Sequence, residues 1–430
     1  MKQIRIGLIG VGVVGSSLLQ LIEKNRRTIQ DRNQLDLEVV AIATRTPSKV
    51  KNLSNLQIST DPLSIPDIPE VDVVIELMGG TSIAFDLVKK SLKNGKTVIT
   101  ANKALLSEKG DELFAIASEN SMEIGYEAAV AGSIPIIRTL RDGLASCEFE
   151  VICGILNGTT NFILTKMEEE NWDYAHALKV AQELGFAEAD PTFDVEGIDA
   201  AHKISLLASL AYRQKVPFSN VKIEGISNLK SIDIQSSKAL GYRIKLLGIS
   251  KRVGNAILTK VHPTLLPLNH PLANVMNESN AVYYKTAEAD SGMITGKGAG
   301  GLPTASAVLA DLIYYGSRNG LQNQTIENNV YKPSEQAQYS ENLVRYYLRF
   351  STVDKPGVLS EIAHILGKNN ISIASVQQKE SETEPVHVIV VTHESTEGNF
   401  QKSIQEIDQL SAFIKEKTIA IRLLENLNSK

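Results

Sequence analysis

The sequence predicts an α/β protein of several domains, the first of which is built on a doubly wound parallel sheet. Its 430 residues exceed the usual size of one domain. Short β-rich runs alternate with helical patterns near the amino terminus, and the pattern changes twice further along the chain. An apolar fraction of 43% and a charged fraction of 22% are typical of folded globular proteins, so we expect packed cores.

Alternating strand and helix signals mark the first domain, which we place at residues 1–125. The β-rich runs are 4–9, 39–43, 71–77 and 97–100, and the main helical patterns between them are 16–29 and 82–94. Strands that alternate with helices predict right-handed crossovers and a parallel sheet covered on both faces.

A glycine-rich turn follows the first strand directly and opens the first helix. Its residues are Gly10, Val11, Gly12, Val13, Val14 and Gly15. Glycine allows the tight turn and keeps side chains away from a pyrophosphate, while the helix N-terminus directs N–H groups at the anion. In this context the turn predicts a Rossmann-like domain that binds a nicotinamide dinucleotide.

Two basic residues follow strands of this predicted sheet. Arg45 ends the second strand, where NAD enzymes usually carry an acidic residue for the ribose 2′-hydroxyl. Because an arginine can pair with a 2′-phosphate, we expect NADP to be preferred over NAD, unless Arg45 is an ordinary surface charge. Lys103 should lie in the crevice at the carboxyl edge of the sheet, where it could bind phosphate or substrate, carry a proton, or simply be solvated.

The second region, residues 126–299, mixes strand-like runs with long helical patterns and predicts an α+β substrate and dimerisation domain. Its segment 185–203 holds five carboxylates and Lys203 in a loop that enters a helix. Asp199 and Lys203 are four residues apart and share a helix face. The helix then continues apolar nearly all round, which predicts burial. Charged residues at the start of a buried helix are more often part of a functional site than of a surface salt bridge. A surface salt bridge between Asp199 and Lys203 is the alternative.

The last part of the chain predicts a small separate domain. Residues 328–343 are polar and carry Pro333, so we interpret them as a linker. In the domain that follows, placed at 344–426, the expected strands are 345–352, 371–379, 386–392 and 418–424, and the helices are 357–369 and 399–412. This order is that of a ferredoxin-like fold.

Several long motifs resemble one enzyme family. GFAEADPTFDVEGIDAAHK at 185–203 is similar to the signature of the homoserine dehydrogenases, and GILNGTTNFILTKM at 154–167 is similar to a second segment of that family. TANK at 100–103 and YEAAVAGSIPII at 126–137 also match, so the resemblance covers residues 1 to about 320. It implies interconversion of L-aspartate 4-semialdehyde and L-homoserine with NAD(P)H, on the route to threonine and methionine.

The resemblance also implies roles for single residues. Lys203 would be the proton donor to the aldehyde oxygen, where hydride attack develops an alkoxide that a lysine can stabilise and protonate. Lys103 would lie near both substrate and nicotinamide as a second catalytic residue. The remaining implied residues are Glu188, Asp194 and Asp199 for the substrate, Gly185 and Gly300 for the cofactor, and Glu127 with the carbonyls of Val130, Gly132 and Ile134 for a monovalent cation, sodium in most of the family. Residues 300–320 would pack back on the first domain.

Residues 346–424 resemble an ACT domain, with Asp354–Leu359 as its ligand loop. This implies an amino-acid effector and feedback control, with threonine as the first candidate, although many ACT domains only dimerise. A different class of protein, a sensor that couples a nucleotide-binding fold to an amino-acid-binding tail, remains the rival hypothesis. Lys203 and its carboxylates favour the enzyme, because a sensor needs no buried proton donor.

Charge and composition exclude other classes of partner. The net charge is −5 and no basic run occurs, so we expect neither nucleic acid nor an anionic membrane as a partner. No apolar stretch approaches the ~20 residues of a membrane span, and we expect a cytoplasmic homodimer or homotetramer. The two cysteines, Cys147 and Cys153, should be free and buried. Since the first strand begins at residue 4, we expect no aspartate kinase domain before it.

Overall fold

The computed structural model describes residues 1–50, 56–318, 331–378 and 385–424. Contacts within the chain form two units. The first unit comprises Met1–Ile152, Ala201–Val221 and Ser279–Ser334, and the second comprises Cys153–Ala200, Lys222–Glu278 and Glu335–Lys430. The domain ranges predicted from the sequence stay a prediction, because a division into two units does not test the boundaries of three domains and a linker.

The secondary structure alternates strands and helices in the first part of the chain and is mixed afterwards. The described strands are β1 (Lys2–Ile9), β2 (Leu35–Ala43), β3 (Gln57–Ser59), β4 (Val73–Glu76), β5 (Thr97–Thr100), β6 (Ile124–Gly125), β7 (Phe149–Ile155), β8 (Gln214–Lys215), β9 (Lys222–Ile223), β10 (Tyr242–Val253), β11 (Ala256–Pro267), β12 (Ser279–Thr286), β13 (Asp290–Lys297), β14 (Lys332–Pro333), β15 (Glu335–Gln336), β16 (Leu343–Val344), β17 (Tyr346–Thr352), β18 (Ile373–Gln378), β19 (Val386–Thr392), β20 (Ser395–Thr396) and β21 (Ile414–Leu423). The described α-helices are α1 (Val13–Asn33), α2 (Ser82–Lys93), α3 (Lys103–Glu119), α4 (Ile136–Arg138), α5 (Gly158–Glu169), α6 (Tyr174–Glu183), α7 (Thr192–Val195), α8 (Ile198–Tyr212), α9 (Ser231–Ala239), α10 (Gly301–Arg318), α11 (Val358–Lys368) and α12 (Glu397–Asp408).

The first unit is built on a parallel sheet in the order β3-β2-β1-β4-β5-β6. Strand β1 pairs with β2 on one side and β4 on the other, so the strand order reverses at β1. Ligands of doubly wound sheets bind at the carboxyl ends of the strands beside such a reversal. The predicted doubly wound sheet is therefore confirmed.

Helix α10 belongs to the core of this unit although it is distant in sequence. Its apolar face, including Val308 and Leu312, shares one buried cluster with Ile4, Leu8 and Leu18. A Cβ at Gly301 would lie 2.6 Å from Oγ of Ser17 in α1, so α10 and α1 approach closely at that glycine. Pro303 is the third residue of this helix, where a proline is tolerated because it lies within the first helical turn.

The second unit contains the long hairpin β10-β11 and the carboxyl-terminal domain. In that domain the strands follow the order β21-β17-β19-β18, with α11 and α12 covering one face around a core that includes Tyr346, Leu348 and Phe400. The elements β17, α11, β18, β19, α12 and β21 occur in the ferredoxin-like order, as predicted from the sequence. The last strand also pairs in parallel with β11 at its end, through Thr264 with Arg422 and Leu265 with Leu423.

Two buried arginines join the carboxyl-terminal domain to the rest of the second unit. Arg349 on β17 lies 2.7 Å from Asp233 of α9, and both side chains are almost fully buried. Arg422 on β21 lies 2.6 Å from Glu397 and 2.7 Å from Glu224. Burial alone lowers the pKa of Arg422, but the hydrogen bonds that it donates to Glu397 and Glu224 raise its pKa well above the usual value. Each guanidinium is thus compensated by carboxylates, as a buried charge requires.

The structure of the predicted linker and the burial of one cysteine differ from the sequence-based expectations. Residues 328–330 of the linker lie outside the described residues, and the described remainder contains β14 and β15, which pair with β8 and β11. Both cysteines are free, but Cys147 is only half-buried, whereas Cys153 is buried. Among the described residues, no helix is long and apolar enough to cross a membrane.

Candidate active site

The glycine-rich turn between β1 and α1 has the geometry that a dinucleotide requires. Gly10 has a φ of +94°, and a Cβ there would lie 2.6 Å from the carbonyl oxygen of Leu77. A Cβ at Gly15 would lie 2.1 Å from the carbonyl oxygen of Gly10. A Cβ at Gly12 would meet nothing within 4 Å, because it would point into open space. The first and last glycines are therefore demanded by the fold, and the middle one leaves room for a phosphate at the start of a helix.

A cleft of about 450 Å³ lies over this turn. Val11, together with Gly10 and Gly12, forms its floor, and Arg45 lines it from the end of β2. Thr46 and Thr60 add hydroxyl groups beside Arg45, and sequence reasoning did not single them out. Within the described part of the chain, no carboxylate lines the cleft.

Glu76 shapes the loop on the other side of the turn. It ends β4 and is fully buried, and its Oε1 accepts the backbone N–H groups of Met78 at 2.8 Å and Gly79 at 3.1 Å. Its Oε2 accepts the Thr100 hydroxyl at 2.6 Å. Asn102, which caps α3 through Leu105 N, donates to Gly80 O at 2.6 Å. A strand that ends in a buried acid thus positions the loop before Lys103, the first residue of α3.

A contact between α3 and α8 joins the turns that carry the two predicted catalytic lysines. The hydroxyl of Ser107, one turn after Lys103, is hydrogen-bonded to Nδ1 of His202. The His202 ring stacks on Phe218 with centroids 4.0 Å apart and planes within 3°. His202 adjoins Lys203, whose side chain is 7% exposed. Both lysines therefore lie on helix turns that are fixed to each other within the first unit.

The predicted substrate carboxylates of the second unit meet at Asn157. Asn157 Nδ2 donates to Asp194 Oδ1 at 2.7 Å and to Asp199 Oδ2 at 2.9 Å. Its Oδ1 accepts the backbone N–H of Thr160 at 2.9 Å, so Asn157 also caps α5. The Thr159 hydroxyl lies 3.2 Å from Asp194 Oδ2. Sequence reasoning named both carboxylates but missed the asparagine between them.

Two other predicted site residues are not part of this cluster. The Glu188 side chain is exposed, and among the described residues its carboxylate makes no hydrogen bond or ion pair. Gly185 has a φ of +77° and follows the carboxyl end of α6, where it donates to Gln182 O at 3.0 Å. A glycine at this point ends the helix in the left-handed conformation. Its predicted role at the cofactor stays a prediction.

Comparisons with known proteins agree with this arrangement. The family described as homoserine dehydrogenase matches residues 135–313, its NAD binding domain matches 10–127, and the ACT domain matches 346–412. A homoserine dehydrogenase of Pseudomonas aeruginosa is 40% identical over 436 residues, with all of both chains covered. The chain belongs to the homoserine dehydrogenase family. It is an NAD(P)-dependent oxidoreductase that interconverts L-aspartate 4-semialdehyde and L-homoserine.

Solved homoserine dehydrogenases share its fold. The enzyme from Thiobacillus denitrificans superimposes with a TM-score of 0.92 at 40% identity, with 99% of each chain covered. A hyperthermophilic archaeal homoserine dehydrogenase, solved in complex with NADPH, has a TM-score of 0.64 at 26% identity and covers 74% of this chain and 98% of its own.

The predicted cation loop of this homoserine dehydrogenase has an unusual backbone. Ala131 and Gly132 both have left-handed φ values, 56° and 57°, and Ser133 N donates to Lys297 O at 3.0 Å. Among the described residues, the carbonyls of Val130 and Gly132 accept no hydrogen bond, whereas that of Ile134 accepts Ile136 N at 2.7 Å. Backbone carbonyls of this kind suit a hard cation.

The Glu127 carboxylate has a different use in the same region. It is 2% exposed and accepts the backbone N–H groups of Ile137 at 2.8 Å and Arg138 at 3.0 Å, so it caps α4. Its own N–H donates to Asp311 Oδ2 at 2.8 Å. Burial, with the nearby Asp311, raises the pKa of Glu127 to about 7. The Glu127 side chain thus holds the start of α4, and its predicted role beside a cation stays a prediction.

Gly300 lies in the first unit, as the resemblance to the family implies. It has a φ of +120° and directly precedes α10. The neighbouring Gly301 would carry a Cβ 2.9 Å from Val13 Cγ1 at the start of α1. Gly300 is thus held close to the glycine-rich turn.

Proposed function

We propose that this homoserine dehydrogenase uses Lys203 as its proton donor and acceptor and prefers NADP. The observation that carries the first part is a buried Lys203 at the start of the apolar helix α8, one helical turn after Asp199. A buried lysine tied to a specific site is suited to proton transfer, because it exchanges a proton with the substrate rather than with bulk water.

The proposed chemistry assigns one task to each group. The nicotinamide cofactor supplies the hydride in one direction and accepts it in the other. Lys203 protonates the aldehyde oxygen as charge develops there, and removes the proton from the homoserine hydroxyl in the reverse direction. Asp199 and Asp194 bind the substrate ammonium group, and Glu188 binds a further polar group of the substrate. Lys103 adds positive charge beside the reacting oxygen and the cofactor.

The NADP preference is supported by the composition of the cleft. Arg45 lines it with Thr46 and Thr60, and no carboxylate among the described residues competes for a ribose hydroxyl. An arginine fork with adjacent hydroxyls suits a 2′-phosphate. The archaeal relative in complex with NADPH is consistent with this choice.

We predict that Arg45→Ala lowers kcat/KM for NADP about 10- to 100-fold, the effect of losing hydrogen bonds to a charged group. The value for NAD should stay within about threefold, since NAD has no 2′-phosphate. The measurement is initial-rate oxidation of L-homoserine with each cofactor, and Arg27→Ala on the exposed face of α1 is the matched control. Equal kcat/KM values for both cofactors in the unmodified enzyme would reject the preference.

We further propose that a monovalent cation, sodium in the first instance, binds near Glu127 to the carbonyls of Val130, Gly132 and Ile134. The left-handed turn at Ala131 and Gly132 supports the site. Its role would be to order the loop. Thermal stability in sodium, potassium and choline chlorides at equal ionic strength tests this, and identical curves would reject it.

The ACT domain is proposed to bind an amino-acid effector and to regulate the enzyme. Gly357, with a φ of +95°, precedes α11 and leaves backbone N–H groups accessible at the helix N-terminus. Paired ACT domains would form the effector sites in a homodimer or homotetramer. Inhibition assays with threonine, methionine and isoleucine, together with light scattering, test both parts. Lack of response to all three amino acids would remove the regulatory role, and a monomer would remove the paired sites.

A further inference from the structure

We infer that Asn157 is a positioning residue that sets the spacing of Asp194 and Asp199 and thereby selects substrates that carry an α-ammonium group. The inference rests on the proposed substrate role of these two carboxylates.

The single amide nitrogen of Asn157 donates to both carboxylates. The two distances, 2.7 Å to Asp194 Oδ1 and 2.9 Å to Asp199 Oδ2, fall in the range of strong charge-assisted hydrogen bonds. An –NH₂ group has two hydrogens, so one is available for each acceptor. The amide therefore lies between the two carboxylates and bridges them.

The position of the amide is fixed from its other end. Asn157 Oδ1 accepts Thr160 N at 2.9 Å, and the Asn157 carbonyl accepts the Thr160 hydroxyl at 3.2 Å. Its side chain is 4% exposed. The orientation of the amide is thus determined, because the oxygen must face the helix N–H and the nitrogen must face the carboxylates.

The loop that carries the carboxylates is itself closely packed. Gly197 has a φ of +80°, and a Cβ there would lie 3.0 Å from Val261 Cγ1. Ile226 N donates to Val195 O at 2.9 Å. With the backbone fixed, Asn157 can determine the side-chain geometry of Asp194 and Asp199. Two carboxylates at a fixed spacing form a site for a compact cation such as an ammonium group, and a substrate without that group gains nothing from it.

The cap and the bridge can be separated by substitution. Asn157→Ser keeps an N-cap oxygen and the net charge, but the serine side chain is too short to reach both carboxylates. Asn157→Ala loses the cap as well. If Asn157 only capped α5, the serine variant would behave as the unmodified enzyme and the alanine variant alone would be impaired.

We expect both variants to raise KM for L-homoserine about 10- to 100-fold, while kcat stays within about fivefold. The ratio of kcat/KM for L-homoserine to that for 4-hydroxybutanoate, which lacks the ammonium group, should fall by a similar factor. Asp173→Ala, which removes the exposed N-cap of α6 at His176 N, is the matched control and should change neither quantity.

A serine variant with unchanged KM and an unchanged selectivity ratio would overturn the inference. Asp194→Asn and Asp199→Asn identify which step has failed. If these two variants also leave KM unchanged, the proposed substrate role of the carboxylates is wrong. If they raise KM and Asn157→Ser does not, the substrate role stands and the positioning role of Asn157 is wrong.

Discussion

Lys203→Met should lower kcat for homoserine oxidation about 10²- to 10⁴-fold, the usual contribution of a positioned general acid or base. Methionine keeps the length and the apolar stem of lysine but cannot carry a proton, and the buried position suits it. The measurement is the rate of NADPH formation at saturating substrate. With homoserine deuterated at C4, the isotope effect on kcat should rise, because chemistry becomes rate-limiting in the variant.

Three further measurements separate chemistry from folding in this variant. Circular dichroism and the Kd for NADP should be unchanged, since the cleft of the first unit does not depend on Lys203. In Lys203→Ala, which leaves the space of the side chain empty, added methylamine should restore part of the rate. Lys109→Met, at an exposed position of α3, is the matched control and should keep full activity. A Lys203→Met variant that retains a tenth or more of kcat would reject the proposed proton donor.

Arg422→Met should destabilise the second unit by about 3–5 kcal/mol, because it leaves buried charge uncompensated. Glu397 is fully buried and loses two hydrogen bonds, at 2.6 and 3.0 Å, and Glu224 loses two at 2.7 and 2.8 Å. The shift in urea midpoint, followed by tryptophan fluorescence and circular dichroism, measures the effect. Trp172, the only tryptophan of the chain, belongs to the same unit.

The reason for this loss can be tested by removing the orphaned charge. Arg422→Met combined with Glu397→Gln should recover part of the lost stability. Lys368→Met breaks an exposed pair with Glu406 on the same domain and should cost no more than about 1 kcal/mol. If Arg422→Met costs no more than this control, the buried network does not support the fold as inferred.

The fold was predictable where local chemistry determines it. The conformation of the turn at residues 10–15 was predictable from its glycines, because the close backbone contacts at Gly10 and Gly15 exclude any side chain. The helix that the segment 185–203 was expected to enter is α8, at Ile198–Tyr212, since its apolar side chains continue nearly all round. The ACT-like order of elements followed in the same way from strand and helix signals alone.

The site was less predictable because its contacts are distant in sequence. Asn157 meets Asp194 and Asp199 across 37 and 42 residues, and no local pattern reveals such a meeting. The only local signal was an asparagine directly before a helix, which predicts a cap and nothing more. The burial of Lys245, outside this site, was not predictable either, because its partner is also distant in sequence. Lys245 is 1% exposed on β10 and donates to Asn161 Oδ1 at 2.7 Å, and burial lowers its pKa to about 7.

The shared strand β21 has a consequence for engineering and for gene fusion. The end of β21 pairs with β11 of the β10-β11 hairpin, while most of the strand pairs with β17 in the sheet of the carboxyl-terminal domain. A cut at residue 345 would therefore remove a neighbour from β11 and expose part of a hydrophobic edge to other chains. Transplanting a foreign regulatory tail onto this enzyme requires that the new tail bring its own strand to that edge. The segment that begins at β17 is therefore not a self-contained unit for exchange, because its last strand also belongs to the sheet of β11.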